Sequence, residues 1–307
     1  MIIKTNSLEI FKQNEYRETD IGLVSNNAYL SIVATNNCQR NCFYCINSHT
    51  DKTLELPVDK AIKNIQKVVN KYHIKEAVIL GGEPLLHSNI VELCYRLKHD
   101  VGIKKLFLTT NGIKLVDNFY LIEELSRYLN GINISFHNED FISFTKLKEI
   151  YELCHEFGVK VRINTNIWRD NHDTLQSLLD FLSLISTACD EIRVSNLIPK
   201  DSFSVNEINN DTSLILSNEE YENLFTKYLS YESISHPIFV NPKTLGFVKY
   251  YLIPLKVPVI INWNIGSTVS EQVCENNTKR KEINTFKCLI NGEISLSWNT
   301  NNILKLD

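Results

Sequence analysis

The sequence predicts an α/β fold built on a parallel β-sheet. Over the first two-thirds of the 307 residues, short runs rich in Val and Ile alternate with amphipathic stretches of helical length. Most of the apolar runs lack the polar alternation of half-exposed strands, which is typical of parallel strands that are covered on both faces. Six such β–α repeats therefore indicate a parallel sheet with right-handed crossovers.

The expected elements follow one another without an obvious flexible linker. We expect strands at 28–35, 76–80, 105–110, 131–137, 159–167 and 191–198, and helices at 57–73, 88–100, 118–129, 140–157 and 171–187. A closed eight-fold barrel would need two more β–α units. The sequence after residue 199 does not supply them, so the sheet is expected to stay open.

The last third of the chain has a different pattern. Residues 199–216 are expected to form a loop and 217–232 a helix, followed by short strands and turns. The pair Asn291-Gly292, between KCLI and EISLSW, predicts a β-hairpin because this dipeptide favours a tight turn. We therefore expect an N-terminal extension at 1–27, a β–α repeat domain at 28–200 and a small C-terminal α+β cap at 201–307.

Composition and charge exclude some classes of function. The formal net charge of −4 provides no broad basic field, which disfavours a nucleic-acid partner. No run of about 18 apolar residues is present, so we expect no membrane span. The first residues lack the apolar core of a secretory signal, and we expect a cytoplasmic protein. Eight cysteines in a reducing compartment favour metal binding or catalysis over disulfides.

Three cysteines lie close together in the segment C-Q-R-N-C-F-Y-C at 38–45. Cys38, Cys42 and Cys45 occupy a polar turn after the first expected strand. Such a loop can supply three thiolates to a four-iron cluster and leave one iron open for a small molecule. Two alternatives stay open: the cysteines lie on one buried face of a helix, or they bind zinc with His49 as a fourth ligand.

Polar residues recur where the expected strands end. Because working residues of parallel barrels cluster on the loops after the strands, this recurrence predicts a single site. After the cysteine segment, the polar positions are Gly81-Gly82-Glu83-Pro84, Thr109–Gly112, Ser135 and His137, Asn164 and Asn166, and Ser195 and Asn196.

These motifs, in this order, resemble the radical S-adenosylmethionine (SAM) superfamily. The resemblance covers about residues 28–200 and depends on C-x3-C-x2-C with Tyr44, followed by Gly-Gly-Glu-Pro after the second strand. It implies a partial (β/α)6 TIM-like barrel with one 4Fe–4S cluster on Cys38, Cys42 and Cys45. It also implies SAM at the open iron, and an electron donor such as flavodoxin or ferredoxin.

The resemblance also implies roles for individual residues. Gly81 and Gly82 would let the backbone approach the methionine moiety, and Glu83 would accept from its ammonium group. Ser135 would contact the ribose or the carboxylate, and Arg162 would bind the carboxylate. The other residues expected to bind the cofactor are Tyr44, Pro84, Thr109, Asn111, Asn164 and Ser195.

Within the superfamily, the nearest branch contains the cyclic pyranopterin synthases and the peptide-modifying enzymes with auxiliary clusters. Cys274 and Cys288 match only part of the auxiliary pattern, because Glu271 and Ser297 stand where cysteines would be. We therefore expect no second cluster. The chain ends in Lys-Leu-Asp and not in the Gly-Gly tail of pterin synthases, which demotes that activity.

Two substrate classes remain open. We favour a small metabolite or short peptide in a biosynthetic pathway. The alternative is a ribosomal-peptide maturase that cross-links or epimerises its substrate, although 27 residues before the first strand are too few for a leader-binding domain. A zinc-stabilised binding module without catalysis is the hypothesis from another class.

Overall fold

The computed structural model describes residues 16–45, 47, 50–139, 141–197, 212–217, 219–221, 223–224, 238–239, 247–251, 257–262, 269–273, 279–298 and 302–306. The strands are β1 Tyr16–Thr19, β2 Gly22–Val33, β3 Glu76–Leu80, β4 Lys105–Thr110, β5 Gly131–Ser135, β6 Lys160–Ile167, β7 Glu191–Asn196, β8 Ile238–Phe239, β9 Phe247–Tyr251, β10 Pro258–Asn262, β11 Val269–Val273, β12 Lys279–Cys288 and β13 Ile294–Ser295. The helices are α1 Val58–Tyr72, α2 Ile90–His99, α3 Ile113–Asp117, α4 Tyr120–Ser126, α5 Phe144–Glu156 and α6 Leu175–Ile185.

The six expected strands are all present, and the α/β class is confirmed. β3 and β4 have the predicted bounds. β2 begins earlier than predicted, at Gly22, and its first residues pair with β1 in an antiparallel hairpin. The polar run Ser25-Asn26-Asn27 interrupts the apolar pattern, so this half of the strand could not be recognised from hydrophobicity. Most of the expected helix at 217–232 lies outside the described residues, as do His49 and Cys274.

The chain divides into two compact units, each assembled from separate segments. One unit consists of Asn14–Ile132, Phe157–Val159 and Ser267–Asp307, and we call it the cysteine unit. The other consists of Met1–Gln13, Asn133–Glu156 and Lys160–Gly266, and we call it the Arg162 unit. The predicted boundary between a repeat domain and a cap at residue 200 stays a prediction.

In the cysteine unit the strands run in the order β11-β12-β2-β3-β4. β12, β2, β3 and β4 are parallel, and one face of this sheet is sealed by helices. Phe286 of β12 stacks on Tyr72 of α1, with ring centroids 5.1 Å apart. α1 is strongly amphipathic and buries one apolar stripe, including Ile62, Ile65 and Val69.

The hairpin predicted at Asn291-Gly292 is confirmed. β12 and β13 are antiparallel, with Lys287 opposite Ser295 and Cys288 opposite Ile294. Gly292 has φ of 80°, a conformation that glycine adopts without strain, and the Asn291 side chain accepts from the Glu293 backbone N–H at 3.0 Å. The pairing of β12 with β2 was not predicted.

In the Arg162 unit β6, β7 and β10 are parallel, and β9 and β8 continue the sheet as antiparallel strands. The buried residues of β6 and β7 alternate with half-buried ones, so each strand presents one fully covered side. None of the helices in the described part of the chain combines the length and apolar character needed to cross a lipid bilayer.

Candidate cluster and cofactor site

The cysteine loop leaves the end of β2 and is held at its base by the segment before α1. Leu56 donates its backbone N–H to the Ala34 carbonyl at 2.8 Å, and Asn36 donates to the Leu54 carbonyl at 3.0 Å. The Thr35 hydroxyl donates to the same Leu54 carbonyl. These bonds fix the direction in which the loop departs. The three predicted ligands that follow are half-buried free cysteines.

Two of the sulfurs accept hydrogen bonds from the loop itself. Arg40 N–H donates to Cys38 Sγ at 3.4 Å, and Asn47 N–H donates to Cys45 Sγ at 3.4 Å. Burial raises the pKa of both thiols, while these N–H donors lower it. The donors therefore favour the thiolate form, which is the form that binds iron.

The donor set fits an iron–sulfur cluster. A four-iron cluster takes each thiolate on a different iron. The chemistry of three thiols with N–H donors in a polar loop fits such a cluster.

The Gly-Gly-Glu-Pro loop after β3 lies directly against the cysteine loop. Gly82 donates its N–H to the Thr35 carbonyl at 2.6 Å, and Glu83 donates to the Asn37 carbonyl at 2.7 Å. A Cβ on Gly82 would lie 2.3 Å from the Asn37 oxygen, and one on Gly81 would lie 2.3 Å from the Thr35 oxygen. The two glycines are therefore required by the approach of the cysteine loop. Their predicted contact with methionine stays a prediction.

Glu83 is buried, and its carboxylate joins its own loop to the end of β4. Its Oε1 accepts from the Leu85 N–H at 3.1 Å and from the Thr110 hydroxyl at 2.7 Å. Its Oε2 accepts from the Asn111 N–H at 2.7 Å. Burial raises the pKa of Glu83, and these hydrogen bonds oppose the rise. Since a carboxylate offers about four acceptor positions, one on Oε2 remains for the predicted ammonium group.

Asn111 connects the end of β4 to a cluster ligand. Its Nδ2 lies 3.9 Å from Cys38 Sγ, and its Oδ1 accepts from the Ile113 N–H at 3.1 Å. Thr109, the residue before Thr110, is half-buried at the end of β4. Tyr44 is also half-buried, and burial is the main cause that raises its pKa. Pro84 opens the short turn after Glu83.

Two residues that hold this site were given no role from the sequence, although Thr110 lies in the polar segment Thr109–Gly112. Thr110 holds Glu83, and Asn47 donates its side-chain amide to the Gly81 carbonyl at 3.1 Å. Thr110 occupies the covered side of its strand, where a hydroxyl needs a partner, and that was the available signal. Asn47 carries no such signal, because an asparagine in a polar loop is ordinary.

The remaining predicted contacts lie in the Arg162 unit. Arg162 Nε donates to Glu191 Oε1 at 2.5 Å, so the guanidinium already has a carboxylate partner. Asn164 pairs in register with Arg193, and its buried Oδ1 has no hydrogen-bond donor among the described residues. Ser195 ends the same row of alternating positions, on β7.

Ser135 closes β5 and is half-buried. The cofactor contacts assigned to Ser135, Arg162, Asn164 and Ser195 stay predictions. His137, just beyond β5, accepts the Asn166 N–H at 2.9 Å through Nδ1, so two of the polar strand-end residues are joined inside this unit.

Comparison with known protein families gives one match, to the model described as the radical SAM superfamily. It spans residues 32–185, half of the chain, and includes the cysteine loop and the Gly-Gly-Glu-Pro loop.

Among curated proteins, similar relatives are GTP 3′,8-cyclases. The enzyme from Clostridium perfringens is 35% identical over 191 residues, which cover 56% of this chain and 55% of the relative. A probable GTP 3′,8-cyclase from Sulfurisphaera tokodaii is 28% identical over 192 residues, covering 58% and 60%. The chain thus matches little more than half the length of these relatives.

Solved structures with the same fold include Streptococcus suis SuiB bound to S-adenosylmethionine, with a TM-score of 0.53 and 17% identity, covering 66% of this chain and 47% of SuiB. The enzyme anSMEcpe with bound AdoMet and a peptide has a TM-score of 0.51 and 16% identity, covering 66% and 58%. These likenesses support the partial TIM-like barrel fold, whose sheet is not closed within the described strands. The family match, which spans half of the chain, establishes that this chain belongs to the radical SAM superfamily.

Proposed function

We propose that this enzyme abstracts a hydrogen atom from a small metabolite or a short peptide in a biosynthetic pathway. The observation that carries the proposal is the fastening of the cysteine loop to Gly81, Gly82 and Glu83. Four backbone and side-chain hydrogen bonds join or brace these two loops, and they keep the three thiols next to the expected cofactor loop.

The residues of the site divide into ligands and supports. Cys38, Cys42 and Cys45 would hold the 4Fe–4S cluster, and the loop after β3 would take the methionine end of SAM. When bound, the cluster and SAM supply a 5′-deoxyadenosyl radical that removes hydrogen from an unactivated carbon. The chain itself orients the thiolates through N–H donors from Arg40 and Asn47, and it fixes the Asn111 amide beside Cys38.

A small-molecule substrate is supported by the curated relatives, which act on GTP by name. The family match ends at residue 185, and the relatives are matched over little more than half of their length. We therefore extend the reaction class to this chain and leave its substrate wider than GTP. A flavodoxin or ferredoxin in the cytoplasm would deliver the electron.

The second candidate is a peptide substrate. One solved structure of the same fold is SuiB bound to its precursor peptide SuiA, with a TM-score of 0.52 and 19% identity. That likeness concerns the fold alone, so it supports a peptide only as a class to be tested. The two candidate functions share the same radical chemistry and differ only in the substrate, a small molecule or a peptide.

The reaction class is tested by forming 5′-deoxyadenosine from SAM with a reductant, under anaerobic conditions. We expect a brown protein with iron and sulfide close to four per chain, and product that depends on reductant. Cys42→Ala should lose both the cluster and the product. Cys94→Ala is the matched control, because Cys94 is a buried thiol of α2 with no proposed iron ligation, and it should keep both.

A colourless protein with one zinc ion, or full activity in Cys42→Ala, would overturn the proposal. The substrate is narrowed by incubating the active enzyme with GTP, with other phosphorylated and carboxylated metabolites, and with peptides encoded near its gene. A new product mass that appears only with a peptide would favour the second candidate.

A further inference from the structure

One buried cation of the cysteine unit has no role in the site described above. Lys287 lies near the end of β12, between Phe286 and Cys288, and the residue is 3% exposed. Phe286 points toward α1, where it stacks on Tyr72. Because side chains alternate across a strand, Lys287 points to the opposite face of the sheet.

The register places Lys287 in a row across four parallel strands. Ser31 of β2 is its direct neighbour, followed by Val78 of β3 and Phe107 of β4. Lys287 and Ser31 are buried, whereas Val78 and Phe107 are half-buried, so this face is less covered toward β4 than at Lys287. Thr109 lies on the same face, two residues and roughly 7 Å beyond Phe107 toward the cofactor loop.

The ammonium group of Lys287 is buried without a counter-ion in the described part of the chain. Its Nζ lies 3.4 Å from the Ser31 hydroxyl and 3.9 Å from the centroid of the Trp298 ring. The ion pair between Glu76 and Lys105 lies on this face too, but two residues nearer the start of β3. Burial alone lowers the pKa of Lys287 to about 7.

An isolated buried ammonium is costly, and proteins keep one where it is paired or where a ligand supplies the missing charge. An apolar side chain of similar length, such as Met, could fill this position, because the residues around Lys287 in the strand are mostly apolar. Ser31 can share a bound anion by donating its hydroxyl, and Trp298 covers the ammonium by a cation–π contact. The ammonium group is therefore a buried cation whose neighbours in the described part of the chain are a hydroxyl and an aromatic ring, and neither carries a negative charge.

We propose that Lys287 binds an oxyanion of the substrate, a carboxylate or a phosphate, on this face of the cysteine unit. The inference rests on the proposed function, since it assigns the anion to the molecule that is held beside the cofactor loop. It narrows the substrate to negatively charged metabolites or to peptides with an acidic group at the reacting segment.

The test measures the reactivity of the Lys287 amine in the full-length protein with its cluster, without turnover. Reductive methylation with formaldehyde and dimethylamine–borane at pH 7 is followed by peptide mass spectrometry. Chloride, acetate and inorganic phosphate are compared at equal ionic strength, and SAM is added in a separate sample. A bound anion raises the pKa of an amine by about one to three units, so methylation of Lys287 should slow at least about fivefold.

The exposed Lys63 of α1 is the internal control, and its methylation should not change. Protection by acetate alone would assign a carboxylate, and protection by phosphate alone would assign a phosphate. Protection by SAM alone would show that the anion belongs to the cofactor, and it would overturn the proposal. Equal methylation in all salts, or an amine that never reacts, would overturn it as well.

A second measurement uses thermal unfolding of the variant Lys287→Met. The anion that protects the wild-type amine should raise the unfolding temperature of the wild type and of Lys63→Met, but not of Lys287→Met. An equal rise in all three proteins would contradict the proposal. Neither readout depends on 5′-deoxyadenosine, so the anion site and the reaction class can fail independently.

Discussion

The Asn111 backbone N–H donates to the Glu83 carboxylate at 2.7 Å, while the Asn111 side chain reaches to 3.9 Å from Cys38 Sγ. A single residue thus joins the cofactor loop to a cluster ligand. Through this hydrogen bond, the Glu83 carboxylate after β3 fixes the position of Asn111 after β4. The thiolate loop is consequently held from two neighbouring strands, in addition to its own.

Replacing Glu83 by Gln should destabilise the protein by about 2 kcal/mol. The amide NH2 group of Gln can only donate, so it would face a hydrogen-bond donor that needs an acceptor. Thr110 or Asn111 is then left without a partner in a buried place. Urea unfolding measures the change, and the iron content of the reconstituted protein should fall with it.

Glu55→Gln is the control for this substitution. Glu55 is exposed and also accepts from a loop, through the Ser88 N–H and hydroxyl. Its replacement should cost less than about 0.5 kcal/mol. Equal losses in the two variants would show that the burial of Glu83 is not what makes its bonds important.

Gly82→Ala should prevent the close approach of the two loops. The added Cβ would meet the Asn37 and Asn36 carbonyl oxygens at 2.3 and 2.6 Å, and these are backbone atoms that cannot rotate away. We expect a loss of about 2 kcal/mol or more and a clear loss of iron from the reconstituted protein.

Gly158→Ala separates this steric effect from backbone strain. Gly158 has φ of 70°, but nothing lies within 4 Å of its added Cβ. It should lose about 1 kcal/mol and keep its iron. If Gly158→Ala lost iron as well, the loss in Gly82→Ala would reflect general instability and not the loop contact.

Lys287→Met should stabilise the protein, and the gain should depend on pH. The pKa of Lys287 is lowered to about 7 in the folded state, whereas an unfolded lysine titrates near 10.5. Between these values the unfolded chain holds the extra proton, so wild-type stability rises with pH. The advantage of the Met variant should therefore be several kcal/mol below pH 7 and shrink toward pH 10.5.

Thermal or urea unfolding at a series of pH values measures this difference. Lys63→Met provides the comparison, because it removes an exposed lysine from the same unit and should give a difference that is nearly independent of pH. A constant difference for Lys287→Met would mean that the buried amine stays protonated.

The pair Arg162–Glu191 should have a measurable coupling energy. Its side chains are 32% and 13% exposed, which limits screening by water. A double-mutant cycle with Arg162→Met and Glu191→Gln should give about 1–2 kcal/mol. The exposed pair Lys148–Glu152 should give less than about 0.5 kcal/mol. Equal couplings would indicate that Glu191 leaves Arg162 free for another anion.

Sequence patterning predicted what depends on local periodicity. The bounds of β3 and β4 follow from short apolar runs, and α1 follows from a strong apolar stripe. The spacing of Cys38, Cys42 and Cys45 in a polar turn also predicted the cluster loop. Each of these features depends on residues close together in the sequence, so it can be predicted without knowledge of the tertiary structure.

Features that depend on distant partners were missed. The first half of β2 carries Ser25 and two asparagines, and only its pairing with β1 makes it a strand. β10 and β12 come from the last third of the chain, yet they pair in parallel with β7 and β2. Nothing local distinguishes these strands from the cap that was expected there.

The pairing of β2 with β12 also delays the completion of the sheet during synthesis. Ser31 and Lys287, which face each other across the two strands, are 256 residues apart in the chain. At ordinary rates of synthesis, β2 leaves the ribosome roughly 10 to 50 s before its neighbour exists. For that interval an apolar strand edge is open to unintended pairing, and long-range closure of this kind is slow in any case. From this connectivity we expect the nascent chain to need protection of the β2 edge until β12 has been made.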